Sequence, residues 1–549
     1  MDRREFLTIS SKRQQTVKAG TTGARTDSGI TAYTGEFGTA EAVHLLKRTM
    51  FGSTPADVAW CKGLSMDAAV EALLTTAEAV TTQPLNNYGE DEMGIAPGAT
   101  WINSAPNLAS DAVDLDRKRR TSYQAWWMDV MINQGRSIQE KMVLFWHNHF
   151  VTELSMVNDA RYVYKYNTTL RRYATGNFKA FTKAITLDPA MLVYLNGYLN
   201  SKEVADENYA RELHELFTVG KGPDSQYTEE DVRATAQVLT GFRLNAVTME
   251  PYFDATQHVI TNKEFSSFYN NSKITGKTGP NGAGELDDLL NIIFAQREVS
   301  KFICRKLYRF FVYYVIDDAV EQNVITPLAE IFRNNSYELL PVLRALFKSE
   351  HFYDPLNMSA LIKSPVDFAV GMCREFDIQF QADYMARYDS LTAIRRHCAS
   401  MLQDIGEPPM VAGWDAYRTA PQYHEIWINT DTLPKRNLMS DSMISAGGFG
   451  EVKIDALAFA EKLSDPANPV TLIQDALDLL YRIPLSDTSK ARLKNIILLS
   501  GQSPDSDYYW TDAWNDWKSS PTAAHRNVVE SRLQTLIKYL MNMSEYQLA

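Results

Sequence analysis

Apolar residues in this chain recur at steps of three and four, and few runs alternate at steps of two, so it is committed to helices that each bury one face. Ala42, Leu45, Leu46 and Met50 set the pattern from Thr39 onward, and Ala69, Val70, Leu73 and Leu74 repeat it. The spacing then predicts helix over 120–149, 158–173, 177–185, 203–219, from Thr228, over 285–314, 318–334, 337–349 and 364–379, and over 523–541. Thr228 and Asp231 have capping-box spacing, in which the hydroxyl accepts a backbone N–H and the carboxylate reaches back. Residues 81–108 carry Pro84, Gly89, Gly94, Pro97 and Gly98 and read as a long loop. Asn270, Asn271, Gly276, Gly279, Pro280, Gly282 and Gly284 make 245–284 an irregular excursion with room for a short hairpin. The expected class is mostly α, a large multi-helix domain with long irregular loops and little β. No fixed period repeats, which disfavours a solenoid.

With 549 residues, 45% of them hydrophobic, the chain has material for a large core. We read 36–549 as a single helical domain and 1–35 as a flexible leader. The leader opens Met1-Asp2-Arg3-Arg4-Glu5-Phe6-Leu7, like a twin-arginine export signal, but a polar stretch follows instead of a hydrophobic one. The start therefore points to an extracytoplasmic place, while the missing apolar segment fits a cytoplasmic one. No run reaches the roughly 20 apolar residues of a membrane span. Acidic residues outnumber basic ones by 67 to 55, which argues against nonspecific nucleic-acid binding. Cys61, Cys304, Cys373 and Cys398 show no C-x-x-C spacing and read as buried free thiols.

Chemistry concentrates in two segments. Phe145-Trp146-His147-Asn148-His149-Phe150 sets two imidazoles two residues apart. They face one point only if the helix ends there, since on a continuing helix they diverge by about 200 degrees. Neutral imidazoles at this spacing can clip a divalent metal ion. On the helix around Glu207–Phe217, Asn208, Arg211, Glu212 and Glu215 form one polar stripe. It reads either as a solvated face with an Arg211–Glu215 pair, or as a source of ligand or base (Glu212, Glu215) oriented by Arg211. His258, in the excursion, would supply a third imidazole. Asp231 reads as a cap. The loop from Trp414 to Trp427 offers tryptophans for stacking on a sugar. Signatures of serine hydrolases, zincins, P-loops and dinucleotide folds are lacking.

Ordered along the chain, His44–Gly52, Glu140–Met142 with Phe145–Phe150, Asp188–Met191, Glu207–Gly220, Tyr227–Val232 with Thr240–Phe242, Arg305–Tyr308, Lys363–Pro365, Pro408–Trp414 and Trp427–Thr430 resemble a bacterial family catalogued as domain of unknown function 1800. The resemblance implies a helical protein, often with an export leader, encoded beside a phosphatase- or sulfatase-like partner. It singles out His147, His149, Asn208, Arg211, Glu212, Glu215 and Asp231, and aligns His258 with a usual His-Asp pair whose Asp is Val259 here. Phe242 stands where a Trp is usual. Two functions follow as expectations: a metal-dependent hydrolase, its ion held by His147 and His149, or a noncatalytic scaffold or partner-binding protein in an extracytoplasmic complex.

Overall fold

A helix whose whole circumference is apolar has to lie inside the molecule, and Met142-Val143-Leu144-Phe145-Trp146 is such a run. In the computed structural model, which describes residues 29–549 except 77–79, 90, 91, 93, 107–111, 158, 446 and 504, those five residues are at most 3% exposed. Around them the protein is 57% helical and 5% strand. The helices that place the sites are α1 (Thr39–Thr49), α2 (Ala112–Ile132), α3 (Gln139–His149), α4 (Ala160–Arg172) and α5 (Asn208–Glu212), the last continuing as a π-helical turn, Leu213–Thr218. They are followed by α6 (Glu229–Val238), α7 (Glu285–Phe294), α8 (Arg297–Phe311), α9 (Pro365–Glu375), α10 (Tyr384–Ser400) and α11 (Ala523–Asn542). One hydrophobic cluster runs from Ala42 in α1 to Tyr546, so both ends of the described chain share a core.

Local chemistry explains the boundaries. Thr228 caps α6 as its spacing predicts, with Asp231 N–H donating to its hydroxyl. Ser364 caps α9 by accepting from Asp367 N–H, and Pro365 occupies the first turn, where its missing N–H costs nothing. The predicted helix over 120–149 is two helices. At Asn133–Ile138 the chain turns away to bond the earlier helix Met66–Thr75 and its C-cap, Ile138 N–H to Leu73 O and the Ser137 hydroxyl to Thr76 O.

The excursion does hold a hairpin, β1 (Phe242–Asn245) against β2 (Glu250–Phe253), Phe242 facing Phe253. The two-residue strands β3 (Lys263–Glu264) and β4 (Lys273–Ile274) pair beyond it. Residues 1–28 lie outside the described part. From Gly29 the expected leader is already part of the body, since Tyr33 N–H donates to Lys348 O and Thr34 N–H to Glu350 Oε1, both at 2.8 Å. All four cysteines are buried and unpaired. Among the described residues no helix is long and apolar enough to cross a membrane.

Candidate functional site

The two histidines do not converge, because α3 continues through His149 and is capped only at Phe150. Their rings leave opposite sides of the helix. His147, 2% exposed, lies among Trp127, Tyr166 and Trp414, with ring centroids 5.4, 5.9 and 5.7 Å away. Neither of its nitrogens has a hydrogen-bond partner among the described residues, and burial pushes its pKa down to about 3. His149 points toward α5 and α8. Its Nε2 lies 3.1 Å from Phe217 O, and Lys306 Nζ is 2.9 Å from its Nδ1. A carbonyl can only accept and an ammonium only donate, so His149 carries its proton on Nε2 and is neutral. Burial and then the Lys306 charge hold its pKa well below the ordinary range. With both nitrogens engaged, His149 has no lone pair left for a metal ion.

The π turn explains why α5 meets this segment at all. Widening the helix at Leu213–Thr218 shifts its closing bonds, so that Val219 and Gly220 N–H both reach His214 O. The carbonyls of Leu216 and Phe217 are then free to bind Lys306 (3.3 Å) and His149. Arg211 pairs not with Glu215 but with Glu229, both Nη atoms within 2.8 Å, and with Glu207 at 3.1 Å. Glu215 pairs with Lys221 at 2.9 Å. Glu212 is half-buried, its carboxyl raised by burial and then by Glu215. Its charge reaches Tyr194, whose hydroxyl donates to Glu153 at 2.8 Å, rather than either histidine. Asn208 is exposed at the helix start.

The remaining predicted residues are held by the fold. Asp231, fully buried, accepts from Thr228 N–H and from Ser266 N–H and hydroxyl, each at 2.7 Å, tying α6 to the excursion. His258 sits in that excursion, its Nδ1 2.9 Å from Thr240 O and its Nε2 3.2 Å from Glu285 Oε1, with Lys263 on the other carboxylate oxygen. It joins neither His147 nor His149. Trp414 N–H donates to Asn148 Oδ1 at 2.9 Å. Gly413, at φ +87°, must be glycine because a Cβ would lie 2.3 Å from that oxygen. Trp414 and Trp427 are each 2% exposed, so neither offers a face for a sugar. Among the described residues no group of three or more His, Cys, Asp or Glu side chains is placed to hold a metal ion.

A second place was not read from the sequence. A cavity of about 40 Å³ lies between the end of α1, α3, α8 and the start of α9, bordered by Arg48, Lys141, Arg309, Asp367, Tyr417 and His424. Lys141 pairs with Asp367, and Lys47 with Glu375 at 2.6 Å. Arg48, 4% exposed, donates through Nη2 to Val312 O at 3.0 Å, and Arg309 through Nε to Tyr314 O at 3.4 Å. Neither arginine has a carboxylate partner among the ion pairs of the described residues. Arg48 Nε is buried with no acceptor among the described residues. His424 Nδ1 accepts from Ile362 N–H at 3.0 Å, which places the proton of the neutral ring on Nε2, and that atom is likewise buried without an acceptor among the described residues.

The family model described as protein of unknown function (DUF1800) matches residues 44–548. The chain belongs to that family. No curated protein and no solved structure matches it. Within this family member the cavity is electrostatically crowded: burial pushes Arg48 down to about 10. Burial and then Arg48 push His424 down to about 4. Lys47 falls to about 7 through burial, against the pull of Glu375. A sequence signal for these residues exists. Lys47-Arg48 lies between Leu45-Leu46 and Met50-Phe51, and Lys141 adjoins Met142–Trp146, so these cations sit in apolar helices rather than on polar faces.

Proposed function

We propose that this protein binds an anionic group in the cavity beside Arg48. One observation carries the reading: two residues that border the same cavity, Arg48 and His424, each bury a group that can only donate, Nε–H and Nε2–H, with no acceptor among the described residues. An unsatisfied buried donor costs about 1–3 kcal/mol, and more when charged, so two of them beside one cavity call for an acceptor from outside the chain. Unpaired guanidinium charge adds to that demand. Binding of a small anion is neither the metal-dependent hydrolysis nor the scaffold or partner-binding role expected from the sequence, and it assigns no bond-breaking step. A metal-dependent hydrolase would need ligands other than the His147–His149 pair, because their rings point apart.

Thermal unfolding of the full chain tests it. Phosphate and sulfate stabilise proteins generally by exclusion from their surfaces, so the informative quantity is the difference between wild type and Arg48→Met at matched salt. The wild type should gain an additional, saturable rise in Tm that the variant lacks. Equal responses of the two proteins would refute an anion site at Arg48.

A further inference from the structure

Resting on that reading of the cavity, we infer that the anion is a doubly charged tetrahedral oxyanion, a phosphate or sulfate group, rather than a carboxylate. Charge gives the first argument. Five cations, Lys47, Arg48, Lys141, Arg309 and Lys363, stand around two side-chain carboxylates, Asp367 and Glu375. That leaves a surplus of three positive charges. Arg482 adds to the positive field on Lys47; of the acids farther out, Glu321 pulls on Arg309, and Glu425 is exposed and 3.5 Å from the Tyr314 hydroxyl. A monoanion would leave two charges buried and unmatched, a dianion only one.

Direction gives the second. A carboxylate presents two coplanar oxygens and is best met by a single guanidinium fork. Here the donors come from four separate elements: Arg48 at the end of α1, Lys141 on α3, Arg309 on α8, and His424 in the 3₁₀ turn Tyr423–Trp427. Donors carried by four elements suit oxygens directed to the corners of a tetrahedron better than two oxygens in one plane. The Ser364-capped start of α9, an eleven-residue helix, also borders the cavity and turns its positive dipole end that way.

Size limits what else can enter. The cavity volume of about 40 Å³ corresponds to roughly three waters at 10–15 Å³ each. One small group fits, and the organic part of an ester would stay at the mouth against Tyr314 and Tyr423. Arg309 already lies over the Tyr423 ring at 5.4 Å and so leads from that mouth toward the interior.

Isothermal titration of the full chain with sodium phosphate, sodium sulfate and sodium acetate at equal ionic strength tests the assignment. Phosphate or sulfate should bind at least about tenfold more tightly than acetate, with the gap lost in Arg48→Met and narrowed in His424→Gln. The second variant keeps the test alive if the first does not fold. Phosphate and sulfate are told apart by their pH profiles, since only phosphate changes charge between pH 5 and 8. Equal affinity for acetate would leave an anion site and overturn the dianion assignment. Absence of binding by all three anions at millimolar concentration would overturn both the assignment and the anion reading itself.

Discussion

The segment around His149 and the cavity around Arg48 are both buried and both polar, yet they close differently. At His149 the groups match: imidazole meets the Phe217 carbonyl and the Lys306 amine, and on the neighbouring helix Asp231 meets the donors of Thr228 and Ser266. At Arg48 donors outnumber acceptors, and Nε of Arg48 and Nε2 of His424 have no acceptor among the described residues. A matched network holds a fold together; an unmatched one of a single polarity is shaped for something the chain does not supply.

Substitutions break this contrast most strongly at Asp231. Replacing it with alanine takes a charged acceptor from three part-buried donors of Thr228 and Ser266, and a loss of about 3–5 kcal/mol is expected in denaturant unfolding. His149→Phe keeps the ring volume but strands the Phe217 carbonyl and Lys306, costing about 2 kcal/mol by the same measurement. Its metal content by elemental analysis should equal that of wild type, whereas loss of a stoichiometric ion would return His149 to the role of ligand.

His147 gives the contrast a pH axis. Its folded pKa of about 3 lies below the unfolded value near 6.5, so the neutral ring's contribution is complete above pH 6.5 and is lost as pH falls from there toward 3. At pH 5 the loss from this residue is about 2 kcal/mol, and His147→Phe should flatten that part of the stability profile. Arg48→Met has the smallest expected effect on stability, within about 1 kcal/mol of wild type or slightly stabilising in anion-free buffer, because it removes an unmatched buried charge. A large destabilisation there would mean that Arg48 is a structural member like Asp231.

Anion binding should also draw a proton. A dianion beside Lys47 raises that amine from about 7, so affinity is full below pH 7 and falls as pH rises through the raised value. Titrations in buffers of different ionisation enthalpy would show proton uptake, and pH-independent affinity would remove Lys47 from the site.

The sequence made the helices legible because apolar spacing is a local property: α1, α4, α6 and the Thr228 cap follow from it directly. A short hairpin within 245–284 is expected from the Asn, Gly and Pro residues at 270–284, whereas the four-residue strands that pair, Phe242–Asn245 and Glu250–Phe253, lie ahead of those residues. Hidden were features set by distant partners. The bend at Asn133–Ile138 depends on carbonyls of Leu73 and Thr76, and the π turn on what Phe217 must meet. His147 and His149 looked like one clip because spacing alone does not reveal that the helix runs on past them. The cavity was hidden for a further reason: Arg48, Lys141, Arg309 and His424 are far apart in sequence, and a cation's lack of a partner is visible only once every neighbour is in place.

The central claim is that Arg48 and His424 hold their donors ready for a tetrahedral anion. Anomalous diffraction from crystals soaked in selenate locates such an ion directly. The account predicts a selenium peak within hydrogen-bonding reach of both Arg48 Nε and His424 Nε2, lost in Arg48→Met crystals. An empty cavity in a wild-type crystal whose surface binds selenate elsewhere would contradict it.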